Sequence, residues 1–413
     1  MTHLGINHAI ATAERGFEVL GFDFDKSLIE NLSSGKFSIS EPDLITLYNK
    51  NKKNLSFISE LDDIEGCDLV FISVDVPTND NGESDLTPIK KIITLVKDKI
   101  KKGSTLVVLC QVPPGFTREI KFSHNFLFYQ VETLIFGRAI DRALNPERTI
   151  VGCNDPSRKF PTNYSKYLES FNCPILKMKY ESAELAKISI NFFLVSSVTT
   201  ANVLAEVCER IGADWSEIIP ALKLDKRIGE YAYLNPGLGI SGGNLERDLK
   251  TILTLGEKYS LNKNVINSWV ENSKERKNWI LDKLNEIVLN KQPDSIVSIL
   301  GLAYKENTNS IKNSPSLNMI NSLKKNNLKV HDPVVTKKNV PNLSFYTEIE
   351  SCVKGADVIV IATAWDEYKK SLTPELLIRS MNGKVIIDPY RVLNRETFSN
   401  AGFEVHNIGR PYN

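Results

Sequence analysis

The chain carries almost no net charge, with 51 Lys and Arg against 50 Asp and Glu over 413 residues. It therefore lacks the electrostatic footprint of a nucleic-acid or anionic-membrane binder, and neither partner is expected. Its six cysteines, Cys67, Cys110, Cys153, Cys173, Cys208 and Cys352, include no CxxC or CxxxC pair, so a zinc cage has no support and no metal is expected. Scattered reduced thiols fit a cytoplasmic protein. There is no uninterrupted membrane-length apolar run. The most apolar stretch, around 188–207, is broken by Ser, Thr and Asn and reads as a core helix. Residues 1–12 hold no charged region followed by an apolar run, so no signal peptide is read there. Low-complexity segments and short repeats are also missing. What remains is an ordinary globular composition, 42% apolar and 24% charged, with a length that predicts two to three domains.

The first third alternates strand candidates (Phe17–Phe22, Asp68–Val74, Thr105–Cys110, Phe126–Val131) with helical patterns such as Pro88–Ile100. That alternation predicts a parallel sheet with crossover helices. The middle third is helical, with Ala183–Ile211 free of Gly and Pro, then Trp215–Leu222, Arg247–Tyr259 and a long pattern over Lys263–Val288. The final third returns to alternation, with strands at Ser295–Leu302, Lys329–His331, Val358–Ala362 and Val385–Ile387, and helices at Ser316–Lys325 and Pro374–Met381. The fold class is α/β: two Rossmann-like α/β domains, 1–182 and 291–413, joined by a central helical domain, 183–290. The long central helices are expected to carry a homodimer contact.

Three constellations carry chemistry. At the N terminus, Thr2 and Gly5 open a helical run that leads to a strand ending in Asp23. A dinucleotide fold needs a strand, a glycine-rich turn, a helix, a second strand and an acid for the ribose. Gly5 fits the third glycine and Thr2 stands at the second, but the first glycine and the first strand are missing. Loss of that central strand leaves two unpaired edges inside a sheet, which is costly. The expectation is that the natural protein starts upstream of Met1, or that the cofactor site is impaired. Second, Lys187 and Asn191 are spaced i, i+4 on one helix face. They can aim an ammonium and an amide at one oxygen, or they can be a snorkelling Lys beside a locally satisfied Asn. Third, Gly237, Gly239, Gly242 and Gly243 crowd into seven residues before a helix near Leu245, a cradle for an anion or sugar.

Together with Ser40-Glu41-Pro42, Val112–Thr117, Asn145–Gly152, Ala183–Asn191, Asp225–Gly229 and Gly301–Ser316, these motifs resemble the UDP-glucose/GDP-mannose dehydrogenase family over essentially the whole chain. That family oxidises a nucleotide-sugar C6 alcohol to a carboxylate in two NAD-dependent steps. The resemblance implies NAD as cofactor, a UDP- or GDP-sugar as substrate, a helical dimer spine, and supply of polysaccharide precursors. It also implies roles by position. Lys187 and Asn191 handle the substrate oxygen, with Glu132 and Asp248 as catalytic-site acids. Asp23, Thr78, Gln111 and Lys312 lie on the cofactor side. Arg227 and Tyr233 contact the sugar, the Arg across the dimer. Lys305 and the glycines of the loop serve the substrate.

The departures cluster around one step. The family's nucleophilic Cys falls at Asn244, its second catalytic Glu at Phe136, and the Thr of its Ser-Thr-Val-Pro turn at Gln111. Glu246-Arg247 replaces Pro-Lys, Lys312 stands for an Arg, and Asn309 stands for an Asp. An Asn forms neither thiohemiacetal nor thioester. The expectation is a single alcohol-to-carbonyl oxidation. The alternative is a catalytically inactive nucleotide-sugar-binding paralogue with a structural or regulatory role.

Overall fold

The computed structural model describes all residues except 80–81, 123–125, 242, 324–326 and 412–413. The chain divides into two compact units, 1–190 and 191–413.

The N-terminal unit runs α1 (His3–Glu14), β1 (Val19–Phe22), α2 (Lys26–Ser33), α3 (Leu44–Asn51), β2 (Leu55–Ile58), β3 (Leu69–Ile72), α4 (Thr87–Lys97), β4 (Thr105–Val108), α5 (Phe116–Glu119), β5 (Leu127–Gln130), α6 (Ala139–Leu144), β6 (Thr149–Cys153), α7 (Thr162–Glu169) and β7 (Ile175–Lys179). It ends in the first turns of α8 (Tyr180–Ile211). Local chemistry sets several boundaries. The Asp25 carboxylate caps α2 by accepting from Ser27 N and Leu28 N. Pro88 sits in the first turn of α4, where its missing N–H costs nothing.

Its strands fall into two sheets. β3-β4-β5-β6-β7 is parallel except for the β5–β6 pair, and β1 pairs only with β2. Between β1 and β3 lies a cavity of about 740 Å³, walled by Val19–Phe24 and Leu69–Val74 and floored by Gly5, His8 and Thr12 of α1. Met1 reaches into one end; a Cβ on Gly21 would stand 3.0 Å from the Met1 methyl.

The C-terminal unit continues through the rest of α8, α9 (Trp215–Leu224), α10 (Asn244–Lys258), α11 (Asn264–Lys277) and α12 (Trp279–Leu284). It then forms β8 (Val297–Leu300), α13 (Pro315–Asn321), β9 (Leu328–His331), β10 (Ser344–Phe345), α14 (Ile349–Val353), β11 (Val358–Ile361), α15 (Asp366–Ser371), α16 (Pro374–Ser380), β12 (Val385–Ile387), α17 (Arg395–Asn400) and β13 (Glu404–His406). The sheet is parallel in the order β10-β9-β8-β11-β12-β13, the doubly wound dinucleotide-fold arrangement. Every residue of β8 and β11 is buried, as expected of strands covered on both faces.

The helical block does not keep a core to itself. Ala201, Ala205, Trp215, Trp279 and Leu284 share one apolar cluster with β8, β11 and β12. The single helix expected over Lys263–Val288 breaks at Asn278, whose N–H bonds to Glu275 O three residues back, and ends in a π turn over Asn285–Leu289.

Candidate functional site

In the N-terminal unit, the residues expected on the cofactor side gather at the carboxyl ends of β1 and β3. Gly5 lies in the first turns of α1, close against β3; a Cβ there would meet Ser73 Oγ at 2.8 Å. A side chain there would have to displace the Ser73 hydroxyl. Thr2 precedes α1, and its Oγ1 donates to Ser73 O at 2.9 Å. Asp23 follows β1, accepts from Asp25 N at 3.0 Å, and forms an ion pair with the Met1 ammonium. Burial lowers the pKa of that amine to about 6. Thr78 bridges to Ser84 across the loop after β3. Gln111 is half-buried just past β4.

The catalytic candidates of this unit meet at the start of α8. Glu132 follows β5 and is half-buried, and desolvation pushes its carboxyl upward. Thr133 N, Lys187 and Arg142 oppose that rise, so Lys187 lies within electrostatic reach. Two acids not assigned a role from sequence hold this geometry. Glu184, fully buried one turn before Lys187, accepts from Gly115 N at 2.5 Å and Thr117 N at 2.8 Å, tying α8 to the turn after β4. Glu41 accepts from Gly137 N and Ala139 N, each at 3.0 Å, and meets His3 Nε2 at 2.8 Å. It thereby fixes the segment that follows Glu132. Both acids stood inside quoted motifs; their burial is what the sequence could not display. Phe136 packs its ring 4.3 Å from that of His3. Cys110 is buried with Sγ 3.2 Å from Ile72 O, and desolvation drives its thiol pKa far up, so it does not replace the missing nucleophile.

In the C-terminal unit, Asn191 Nδ2 donates to Asp248 Oδ2 at 2.5 Å, with both side chains buried. Asn244 is the first residue of α10 and is exposed, one helical turn ahead of Asp248 on the same face. Helix α8 and helix α11 brace the glycine loop. Asn202 Oδ1 accepts from Gly237 N at 2.8 Å, and Ser273 Oγ accepts from Ile240 N at 2.7 Å. Gly239 has φ +73°, and a Cβ on it would lie 2.4 Å from Ser273 O. Gly243 lies beside Lys312, whose Nζ a Cβ would approach to 3.5 Å. Gly242 lies outside the described residues. Glu246 holds Lys277 at 2.9 Å and also Asn313, anchoring the first turn of α10. Lys305 sits 5.9 Å over the Tyr304 ring.

Arg227 and Tyr233 stand apart from this cluster. Arg227 forks onto Asp225 at 2.6 and 3.0 Å with its side chain 89% exposed, and Tyr233 is half exposed. Among the described residues no group of three or more His, Cys, Asp or Glu is arranged to hold a metal.

An acid closing β1 in the N-terminal unit and, in the C-terminal unit, a glycine cradle feeding α10 together with a doubly wound sheet are the features of a nucleotide-dependent dehydrogenase. Comparison with known proteins agrees. Residues 1–169 match the NAD binding domain of the UDP-glucose/GDP-mannose dehydrogenase family, 181–274 its central domain and 298–395 its UDP binding domain. The chain belongs to this family; it is an oxidoreductase of the nucleotide-sugar dehydrogenase class with NAD as cofactor. It is 29% identical to the UDP-glucose 6-dehydrogenase TuaD of Bacillus subtilis over 99% of this chain and 92% of that protein. Among solved structures, a UDP-D-ManNAc dehydrogenase from Pyrococcus horikoshii superposes with a TM-score of 0.85 at 25% identity, covering 99% of this chain and 97% of that one. A UDP-glucose dehydrogenase from Pyrobaculum islandicum gives 0.84 at 25% identity, covering 99% and 96%.

Proposed function

We propose that this enzyme oxidises one CH–OH group of a UDP- or GDP-sugar to the carbonyl, passing one hydride to NAD and one proton to solvent by way of Lys187. The observation that carries this reading is Asn244. It occupies the first position of α10, one turn from the buried Asn191–Asp248 pair, and its amide offers no nucleophile for a second, acid-forming step. Gly5 against β3 and Asp23 at the end of β1 suit a dinucleotide, with Asp23 for the ribose hydroxyls and Thr78, Gln111 and Lys312 as further cofactor contacts. NAD supplies the hydride acceptor.

The protein groups then divide the work. Lys187 takes the hydroxyl proton. Glu132 lies within electrostatic reach of Lys187 and helps set that basicity, desolvation pushing its own carboxyl upward. The Asn191 amide, oriented by Asp248, donates to the oxygen as it becomes a carbonyl. The glycine loop and Lys305 bind the nucleotide sugar.

The exposed apolar residues of α8, including Phe193, Val203, Val207 and Ile211, belong in this reading to a homodimer contact. Helix α8 is apolar enough by length and composition to cross a membrane. Its Glu184, Lys187, Glu206 and Glu209 instead favour a protein face and a cytoplasmic enzyme supplying surface-polysaccharide precursors. Arg227, exposed in one copy, would then reach the partner's substrate, and Tyr233 would contact the sugar.

Incubation with NAD and a panel of UDP- and GDP-sugars tests the reaction. One NADH per sugar is expected, and two would overturn the single-step reading. The open cavity beside Asp23 favours a second reading, a nucleotide-sugar-binding paralogue without turnover. No NADH together with measurable sugar binding would establish it.

A further inference from the structure

The turn that leads to Lys305 is built around one buried carboxylate. β8 ends at Leu300, and Gly301 follows at φ +106°, where a Cβ would lie 2.5 Å from Thr363 Cβ. The next two amides, Leu302 N and Ala303 N, both donate to Asp332 Oδ2, at 2.7 and 3.1 Å. Trp365 Nε1 donates to the same oxygen at 3.3 Å. Oδ1 accepts from Val334 N at 2.9 Å and from Val335 N at 2.8 Å. Asp332 is 4% exposed, so these five donors replace the water that the carboxylate gives up on burial.

The carbonyls of the turn are held as well. Leu302 O accepts from Ser314 Oγ at 2.8 Å and from Ser316 Oγ at 3.3 Å, and Ala303 O accepts from Thr363 Oγ1 at 2.7 Å. Leu302 and Ala303 are thus fixed at both N–H and C=O. Tyr304 N then donates to Ser310 O at 3.0 Å, which closes the loop carrying Lys305. Beyond Lys305, Glu306 lies within electrostatic reach of Tyr304 and Tyr390. Tyr390 Cε1 stands 3.9 Å from where a Cβ on Gly237 would lie. One end of this loop is therefore tied to Asp332, and the other approaches the glycine cradle.

In a dinucleotide fold, the amides just past a strand and ahead of its helix face the ligand's pyrophosphate. Past β8 those amides face Asp332 instead, the first residue after the neighbouring strand β9. A phosphate approaching that turn meets a carboxylate rather than open N–H groups, so a nucleotide is bound from outside the turn, by side chains. We propose that Asp332 is a positioning residue for the nucleotide sugar: an internal anion that fills the cradle past β8, locks residues 301–304 and thereby sets Lys305 against the bound ligand. The proposal rests on the reading that Lys305 and the glycine loop bind the nucleotide sugar.

UDP binding is measured by calorimetry for the full chain, for Asp332→Asn, for Lys305→Met and for the double variant, with Tm alongside. Asp332→Asn keeps the size of the side chain but turns an NH₂ group toward backbone donors. It also makes the unit one charge more positive, which by Coulomb's law alone tightens the binding of an anion. The expected result has the opposite sign: UDP binds about ten-fold more weakly, as it does to Lys305→Met, and the double variant loses no more than about two-fold beyond the weaker single variant, because the two residues act as one unit. Unchanged or tighter UDP binding by Asp332→Asn overturns the proposal. So do losses that multiply to about a hundred-fold in the double variant, the mark of independent sites. If Lys305→Met binds UDP as tightly as the unmodified chain, the reading of Lys305 is what fails, and the proposal falls with it. If Asp332→Asn does not fold, Thr363→Val, which frees the Ala303 carbonyl of the same turn, takes its place in the cycle and meets the same two tests, weaker binding and no multiplication with Lys305→Met.

Discussion

Asn244 stands at a helix start, where a thiol would be most easily ionised, since the first-turn amides and the helix dipole both favour an anion. Asn244→Cys is therefore expected to raise the yield from one NADH per sugar toward two, with acid as product. If only one NADH is still formed, Phe136 and Gln111 are implicated in the loss as well. Lys187→Ala is expected to lower the rate by about 10²–10⁴-fold with Tm unchanged, the size of a lost general base; retained turnover would remove Lys187 from that role. Asp388 provides a separate test of burial. It is almost fully enclosed, its Oδ2 accepts from Leu393 N, and desolvation raises its pKa from 3.8 to about 6. Between those values the native state holds a proton that the unfolded chain has released. Stability therefore falls as pH rises through that window, by about 3 kcal/mol in total at 1.36 kcal/mol per unit. Asp388→Asn removes the charge at nearly constant shape. Its Tm should exceed that of the unmodified protein at pH 7 and converge with it near pH 4.

Among the elements, the glycine loop is built to one shape. Gly239→Ala must place a Cβ in the left-handed region and 2.4 Å from Ser273 O, which sits on an already packed helix. A cost of about 1–3 kcal/mol is expected, read as a lower Tm together with weaker binding of UDP-sugars by calorimetry. Unchanged affinity would show that the loop does not cradle the ligand. How legible such elements were depended on how continuous their apolar runs are. The strands β3, β4 and β5 were readable from runs of Val, Ile, Leu and Phe, though each is shorter than its run. The strands β2, β6, β7, β10 and β13 were not, because polar residues or glycine interrupt their short apolar patterns and their pairing is non-local. Helix α8 was readable because nothing in it breaks a helix. The break at Asn278 was not, because it depends on a backbone bond to Glu275 rather than on a residue type. At the site, Lys187, Asn191 and Asp248 could be named from motif spacing. Glu41 and Glu184 acquire their jobs only when distant backbone amides are brought to them.

For the whole molecule, two α/β halves and an intervening helical stretch were visible in the order of patterns. That the helices share their core with the C-terminal sheet was not visible, since a linear pattern does not say which faces meet. The exposed side of α8 makes a prediction at this scale. Val203→Asp and Phe193→Asp, each on an exposed apolar position, are expected to shift the protein from dimer to monomer in sedimentation equilibrium while leaving its circular dichroism unchanged. A dimer that survives both changes would place the contact elsewhere.

Helix α8 also carries Lys187 and Asn191 on one unbroken run of backbone bonds. One residue added between them would turn one against the other by about 100° and part them by a further 1.5 Å or so along the axis. In the proposed reaction, the length of α8 between Lys187 and Asn191 therefore counts as much as the lysine itself.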